Sequence, residues 1–67
     1  MKPLATLTII SRGASTSYLL HAAGVLVWNT RASSTSAGTD GARERLRQWL
    51  VARPYKVVLA EQQRRTG

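Results

Sequence analysis

The complete absence of cysteine is the tightest constraint on what this chain can fold into. A domain of 67 residues buries only roughly 60% of the surface its unfolded chain exposes, so its core is thin. Domains this small are commonly stapled by disulfides, by a metal or by a second subunit. Without thiols the first staple is gone, and every thiolate metal site goes with it. His21 is the only histidine, so no histidine cluster takes their place. Neither a metal nor another cofactor is therefore expected. A second subunit or a docking partner is the staple left. A cysteine-free chain also fits the cytoplasm, which is the localisation expected here.

Within that limit the hydrophobic pattern predicts one small α+β domain spanning residues 1–67. Leu4 to Ser11 alternates Thr6 and Thr8 with Leu7 and Ile9 and is rich in β-branched residues, the pattern of a strand. Arg12-Gly13-Ala14-Ser15 forms a turn. Thr16 to Ala22 makes a second strand, Ala23-Gly24 the next break, and Val25 to Arg31 a third strand. Connections this short give an antiparallel meander, because parallel neighbours need long crossovers. The small polar run Ser33 to Thr39 leads into a helix. There Ala42, Leu46, Trp49, Leu50 and Arg53 recur at helical spacing along one face. Thr39 or Asp40 is expected to cap its start, and Pro54 to end it near Ala52.

Tyr55 to Glu61 is the last strand. Tyr55, Val57 and Leu59 lie on one face, with Lys56, Val58 and Ala60 on the other. The predicted fold is β-β-β-α-β: one antiparallel sheet with a single amphipathic helix on one face. The ordered core is expected over 4–61, with 62–67 a frayed basic tail. Trp49, on the apolar stripe, is expected in the core. Nothing is left to cover the second sheet face, which would carry Thr6, Thr8, Ile10, Leu19, His21 and Val58. That open face is a candidate surface for a partner or for a homodimer.

Ten Lys and Arg against three Asp and Glu give a formal charge of +7, which favours anionic partners. Arg43, Arg45, Arg47, Arg53 and Lys56 gather in the helix and the corner after it. Arg12 in the first turn and Arg31 at the end of the third strand extend the rim. These seven are the candidate partner-binding residues, since arginine forks engage carboxylate or phosphate bidentately. Arg43 and Arg47 are assigned to the helix face opposite Leu46 and Leu50. Asp40 and Glu44 are expected to pair within the helix with Arg43 and Arg47.

Catalysis is not expected. A Ser-His-Asp arrangement needs a shaped pocket and a preorganised oxyanion site. A one-helix, one-sheet domain has little room for either, and His21 sits mid-strand between Leu20 and Ala22. Gly38 and Gly41 do not form a phosphate-binding loop, because they follow no strand in the required spacing. The longest apolar stretch, Tyr18 to Trp28, is interrupted by His21 and Gly24 and falls short of the roughly 20 residues that span a bilayer. The run MKPLATLTIISRG has no clear small-residue cleavage site, so neither a secretory signal nor a membrane partner is expected.

The meander, the lead-in SSTSAGTDGA, the helical RERLRQWL and the final YKVVLAE together resemble, over Leu4 to Glu61, the small phage-encoded inhibitors that include anti-CRISPR proteins. The resemblance is one of architecture. Many of those inhibitors are acidic nucleic-acid mimics, and this chain is basic. It implies a non-enzymatic inhibitor in the cytoplasm of a host cell, docking on a host protein or ribonucleoprotein complex and blocking it sterically. Beside it stand two other expectations. One is a nucleic-acid-binding accessory module with arginines on phosphates. The other is an antitoxin-like or structural dimer pairing through the open sheet face.

Overall fold

A computed structural model describes residues 2–65, with side-chain environments for 2–60. The element order is β1 (Leu4–Arg12), β2 (Ser15–Ala22), β3 (Val25–Ser33), α1 (Ser36–Val51) and β4 (Lys56–Arg65). The strands form one sheet in the order β3-β2-β1-β4, so the α+β architecture with a single helix is as the sequence predicts. The three-strand meander is antiparallel, with Ile9 opposite Tyr18 and Leu20 opposite Trp28.

Its two hairpins close tightly. Arg12 pairs with Ser15 around Gly13-Ala14, and Ala22 with Val25 around Ala23-Gly24. Ala23 and Gly24 both have positive φ, at 53° and 76°, the backbone that a two-residue hairpin loop of this hand requires. Gly24 adopts it freely, whereas Ala23 does so against its own Cβ.

The sheet is not wholly antiparallel: β4 pairs parallel to β1, Ala5 opposite Val57 and Leu7 opposite Leu59. The reason is the crossover. β3 runs in the direction of β1, and α1 carries the chain back to the end of the sheet where β1 starts. A strand that leaves from there repeats the direction of β1. Pro3 ties the two starts together, its carbonyl accepting the Lys56 amide at 2.9 Å. The strand continues past Glu61, with Gln62 opposite Ile9 and Arg65 opposite Arg12. The expected frayed tail thus pairs with β1 through Arg65, and residues 66–67 lie outside the described residues. Two irregularities in register, at Leu7/Thr8 against β4 and Leu20/His21 against β3, leave Ala60 and Val27 without partners.

The helix starts four residues earlier than a Thr39 cap would set it, and five earlier than an Asp40 cap. Thr35 is the N-cap, and its hydroxyl oxygen accepts the Gly38 amide at 3.1 Å. Gly38 makes the early start possible. A Cβ there would collide with the carbonyl and hydroxyl oxygens of Ser33, so the first turn sits directly on the end of β3. Gly41, one turn on, has only the Arg45 guanidinium nearby, at 3.9 Å from where a Cβ would stand. At its other end α1 stops at Ala52, two residues before Pro54, and the Arg53 amide closes the last turn by donating to the Leu50 carbonyl at 3.1 Å.

The fully enclosed set is small: Ala5, Tyr18, Leu20 and Ala42, with Thr16 as the buried polar member. Trp49 is half-buried rather than in the core. Its ring stacks on Tyr55 at 5.8 Å and 4°, and meets Trp28 of β3 at 6.4 Å. Helix and sheet are thus joined mainly along β3, from Gly38 on Ser33 at one end to Trp49 on Trp28 at the other.

The two helix glycines should respond in opposite directions to alanine. Gly41→Ala should stabilise the fold by up to about 1 kcal/mol, through the lower backbone entropy of the unfolded chain. Gly38→Ala should destabilise it by about 1–3 kcal/mol, because α1 must lift off Ser33. Urea titrations of both variants, followed by circular dichroism, read the difference, and equal shifts would contradict the close approach at Gly38.

Candidate docking surface

The alternation of side chains across the paired strands divides the sheet into two faces. On the helix side lie Leu7, Ile9, Tyr18, Leu20 and Trp28. On the other lie Thr6, Thr8, Ile10, Leu19, His21 and Val58, the set the sequence places on an open face. No described element covers that second face.

The helix side is itself only half covered. Because α1 rests on β3, the far edge of the sheet stands clear of it. Leu59 on β4 is 57% exposed, and Leu7 and Ile9 on β1 are partly exposed. Between these residues and the helix runs a groove of about 400 Å³. Leu7, Ile9 and Leu59 line it from the sheet, Leu46 and Arg43 from the helix, and Trp28 also reaches it.

One end of the groove is a chain of hydroxyls. The Ser34 hydroxyl donates to the Gly13 carbonyl at 3.1 Å. With that proton used, the Thr16 hydroxyl donates to Ser34 across 2.8 Å, and Ser11 to Thr16 across 3.2 Å. All three protons are committed along the chain, so the capacity these hydroxyls have left is as acceptors. The cationic donor in the lining is Arg43.

Arg43 is not where the sequence reading put it. It lines the groove beside Leu46 instead of facing away from it. The spacing explains why: Arg43, Leu46 and Leu50 are i, i+3 and i+7, one side of a 3.6-residue helix. That spacing is legible in the sequence itself. Nor does Arg43 pair with Asp40. Among the described residues the ion pair present joins Arg47 to Glu44, bidentate at 3.0 and 2.8 Å, with Gln48 donating to the same carboxylate at 3.0 Å.

The other expected binding residues do not form one patch. Arg45 projects from the side of α1 away from Arg43, folded toward Gly41. Arg53 is spent on an aromatic ring, its guanidinium 5.0 Å from the centre of Trp49. Arg12, Arg31 and Lys56 occupy register positions on the helix-free face, beside Ser15, Ser17 and Leu4 respectively. Among the described side chains, Arg43 is the basic residue of the groove lining, and Arg12, Arg31 and Lys56 form a looser set on the opposite face.

His21 lies on the helix-free face and Asp40 and Glu44 on the helix, so the sheet separates them. The described residues hold no group of three His, Asp or Glu placed to bind a metal. No helix among them is long and apolar enough to cross a membrane. No family model matches the chain, and no curated protein or solved structure is significantly similar to it.

The Arg47 guanidinium and the Gln48 amide hold the Glu44 carboxyl down, from its ordinary 4.5 to about 2. A carboxylate depressed on folding adds stability that is complete above the unfolded pKa and is lost as pH falls through the folded one. The contribution should fade between pH 4.5 and about 2, and it should be small because the pair is exposed. A carbon-detected NMR titration should place the Glu44 midpoint well below 4.5, and Arg47→Gln should return it toward that value.

Proposed function

We propose that this chain is a non-catalytic docking protein, an inhibitor of the phage or mobile-element kind that covers a functional surface of a host protein or ribonucleoprotein complex. The observation that carries the reading is the half-covered helix side: an open groove with Leu7, Ile9, Leu46 and Leu59 along it, hydroxyls at one end and Arg43 at its border, on a domain whose own enclosed core is only a few side chains. A chain this small gains most from completing its core against something else. The separation of His21 from the helix carboxylates supports a binding role over a Ser-His-Asp reaction. An inhibitor needs only to occupy a surface, and a rigid sheet with an open groove is sufficient for that.

Affinity capture from host lysate, with and without nuclease, tests it. The expected result is a host protein that survives nuclease treatment and is lost with the exposed-site variants Arg43→Glu and Leu59→Asp. Recovery of no protein under either condition would remove the reading.

A second reading has its own observation. Arg12, Arg31 and Lys56 share the helix-free face with Thr6, Thr8 and Ser17, and the register sets Glu61 opposite Thr8 on that side, so its cationic positions outnumber its carboxylate one. Such a face suits phosphates. It lacks aromatic rings for stacking bases, since Tyr18 and Trp28 lie on the helix side. Binding to nucleic acid would then be purely electrostatic. With three phosphate contacts, the slope of log K against log salt should be about −2 to −3 for either single-stranded or duplex DNA. Arg31→Gln should reduce that slope by about 1. Absence of binding at low salt in a fluorescence anisotropy titration would eliminate this alternative.

A further inference from the structure

We infer that the uncovered strip of sheet beside α1 receives an amphipathic helix of the partner protein, with a carboxylate on the border that meets Arg43. This rests on the docking reading above and names the partner's chemistry at the same groove.

The width of the strip points to a helix. The four strands lie about 4.8 Å apart, and a helix with its side chains is about 10 Å across. One helix covers about two strands. α1 takes the β3 side of the sheet, held by Gly38 on Ser33 and Trp49 on Trp28. What is left over β1 and β4 is a strip two strands wide, with Leu7, Ile9 and Leu59 on it. A sheet flanked by two side-by-side helices is an ordinary layer architecture, and here the second helix is missing from the described chain. A small molecule fits less well, because ligands of that size are usually bound with most of their surface enclosed, and Leu59 remains 57% exposed.

Charge decides the rest of the chemistry. Arg43 stands between the strip and α1, with no carboxylate in the groove lining and no ion-pair partner among the described residues. A helix lying parallel or antiparallel to α1 would bring one of its borders alongside Arg43, and a Glu or Asp there makes a charge-assisted hydrogen bond. A second copy of this chain does not meet that requirement. Its own α1 carries Arg43, Arg45 and Arg47 against Asp40 and Glu44, Glu44 is already held by Arg47, and each copy has a formal charge of +7, so two copies repel.

The probe is a designed 18-residue helical peptide with Leu at i, i+4, i+7 and i+11 and Glu along one border. A control has Lys in place of each Glu. Titration into the isotope-labelled full chain should give saturable shifts at Leu7, Ile9 and Leu59 and at the Arg43 side chain, with the Glu peptide binding at least roughly tenfold tighter than the Lys peptide. Arg43→Glu should reverse that preference. Leu59→Asp should abolish binding while leaving the far-face resonances unmoved, which separates loss of the site from loss of the fold. Equal binding of the two peptides, shifts confined to the helix-free face, or sedimentation as a dimer whose interface is Leu7, Ile9 and Leu59 would each overturn the inference. If peptide binding fails while a nuclease-resistant host protein is still captured, the docking role stands and the helical partner is wrong. If nothing is captured and the peptide still binds as expected, the groove chemistry stands and the inhibitory role is wrong.

Discussion

The placement of α1 on one edge of its sheet depends on the contact between Trp49 and Trp28. These rings meet at 6.4 Å, and Tyr55 stacks on Trp49 from the start of β4. At the other end of the helix, Gly38 lets the first turn sit on Ser33 with no side chain between them. Two anchors about a helix length apart fix both the position and the tilt of α1. A helix placed centrally would have covered Leu7 and Ile9. Held at β3, it encloses Tyr18, Leu20 and Ala42 and leaves the β1–β4 side clear.

The groove follows from that offset, and so does the role of its residues. Arg43 faces the groove because α1 is turned to set Trp49 on Trp28, which brings the i, i+3, i+7 row of Arg43, Leu46 and Leu50 toward the sheet. Arg47 lies farther round the helix and is held by Glu44. Arg53 rests over Trp49 and so belongs to the aromatic contact rather than to the surface. Of the arginines in the helix and its corner, the anchoring contact leaves Arg43 as the one that borders apolar surface. A small domain with few enclosed side chains and an unfilled groove has a physical incentive to bind. Burying Leu59 and its neighbours adds hydrophobic stabilisation that the isolated fold lacks.

The sequence by itself determined the elements and the faces. Alternation in LATLTIIS and STSYLLHA, the turn residues Gly13 and Gly24, and the helical spacing of Ala42, Leu46, Trp49 and Leu50 are local signals, each read within a few residues. They gave the three-strand meander, the helix and the membership of the helix-free face. The spacing of Arg43 with Leu46 and Leu50 is a local signal of the same kind. Tertiary structure decided what no local window contains. The parallel pairing of β4 with β1 is set by where the crossover returns the chain and by backbone bonds between residues more than fifty apart in sequence, such as Ala5 and Val57. The early helix start depends on Ser33 approaching Gly38, and the partial exposure of Trp49 depends on stacking with Tyr55 and Trp28 rather than on its own hydrophobicity. The groove exists because packing between distant aromatic rings, not periodicity, chooses which half of a sheet a single helix covers.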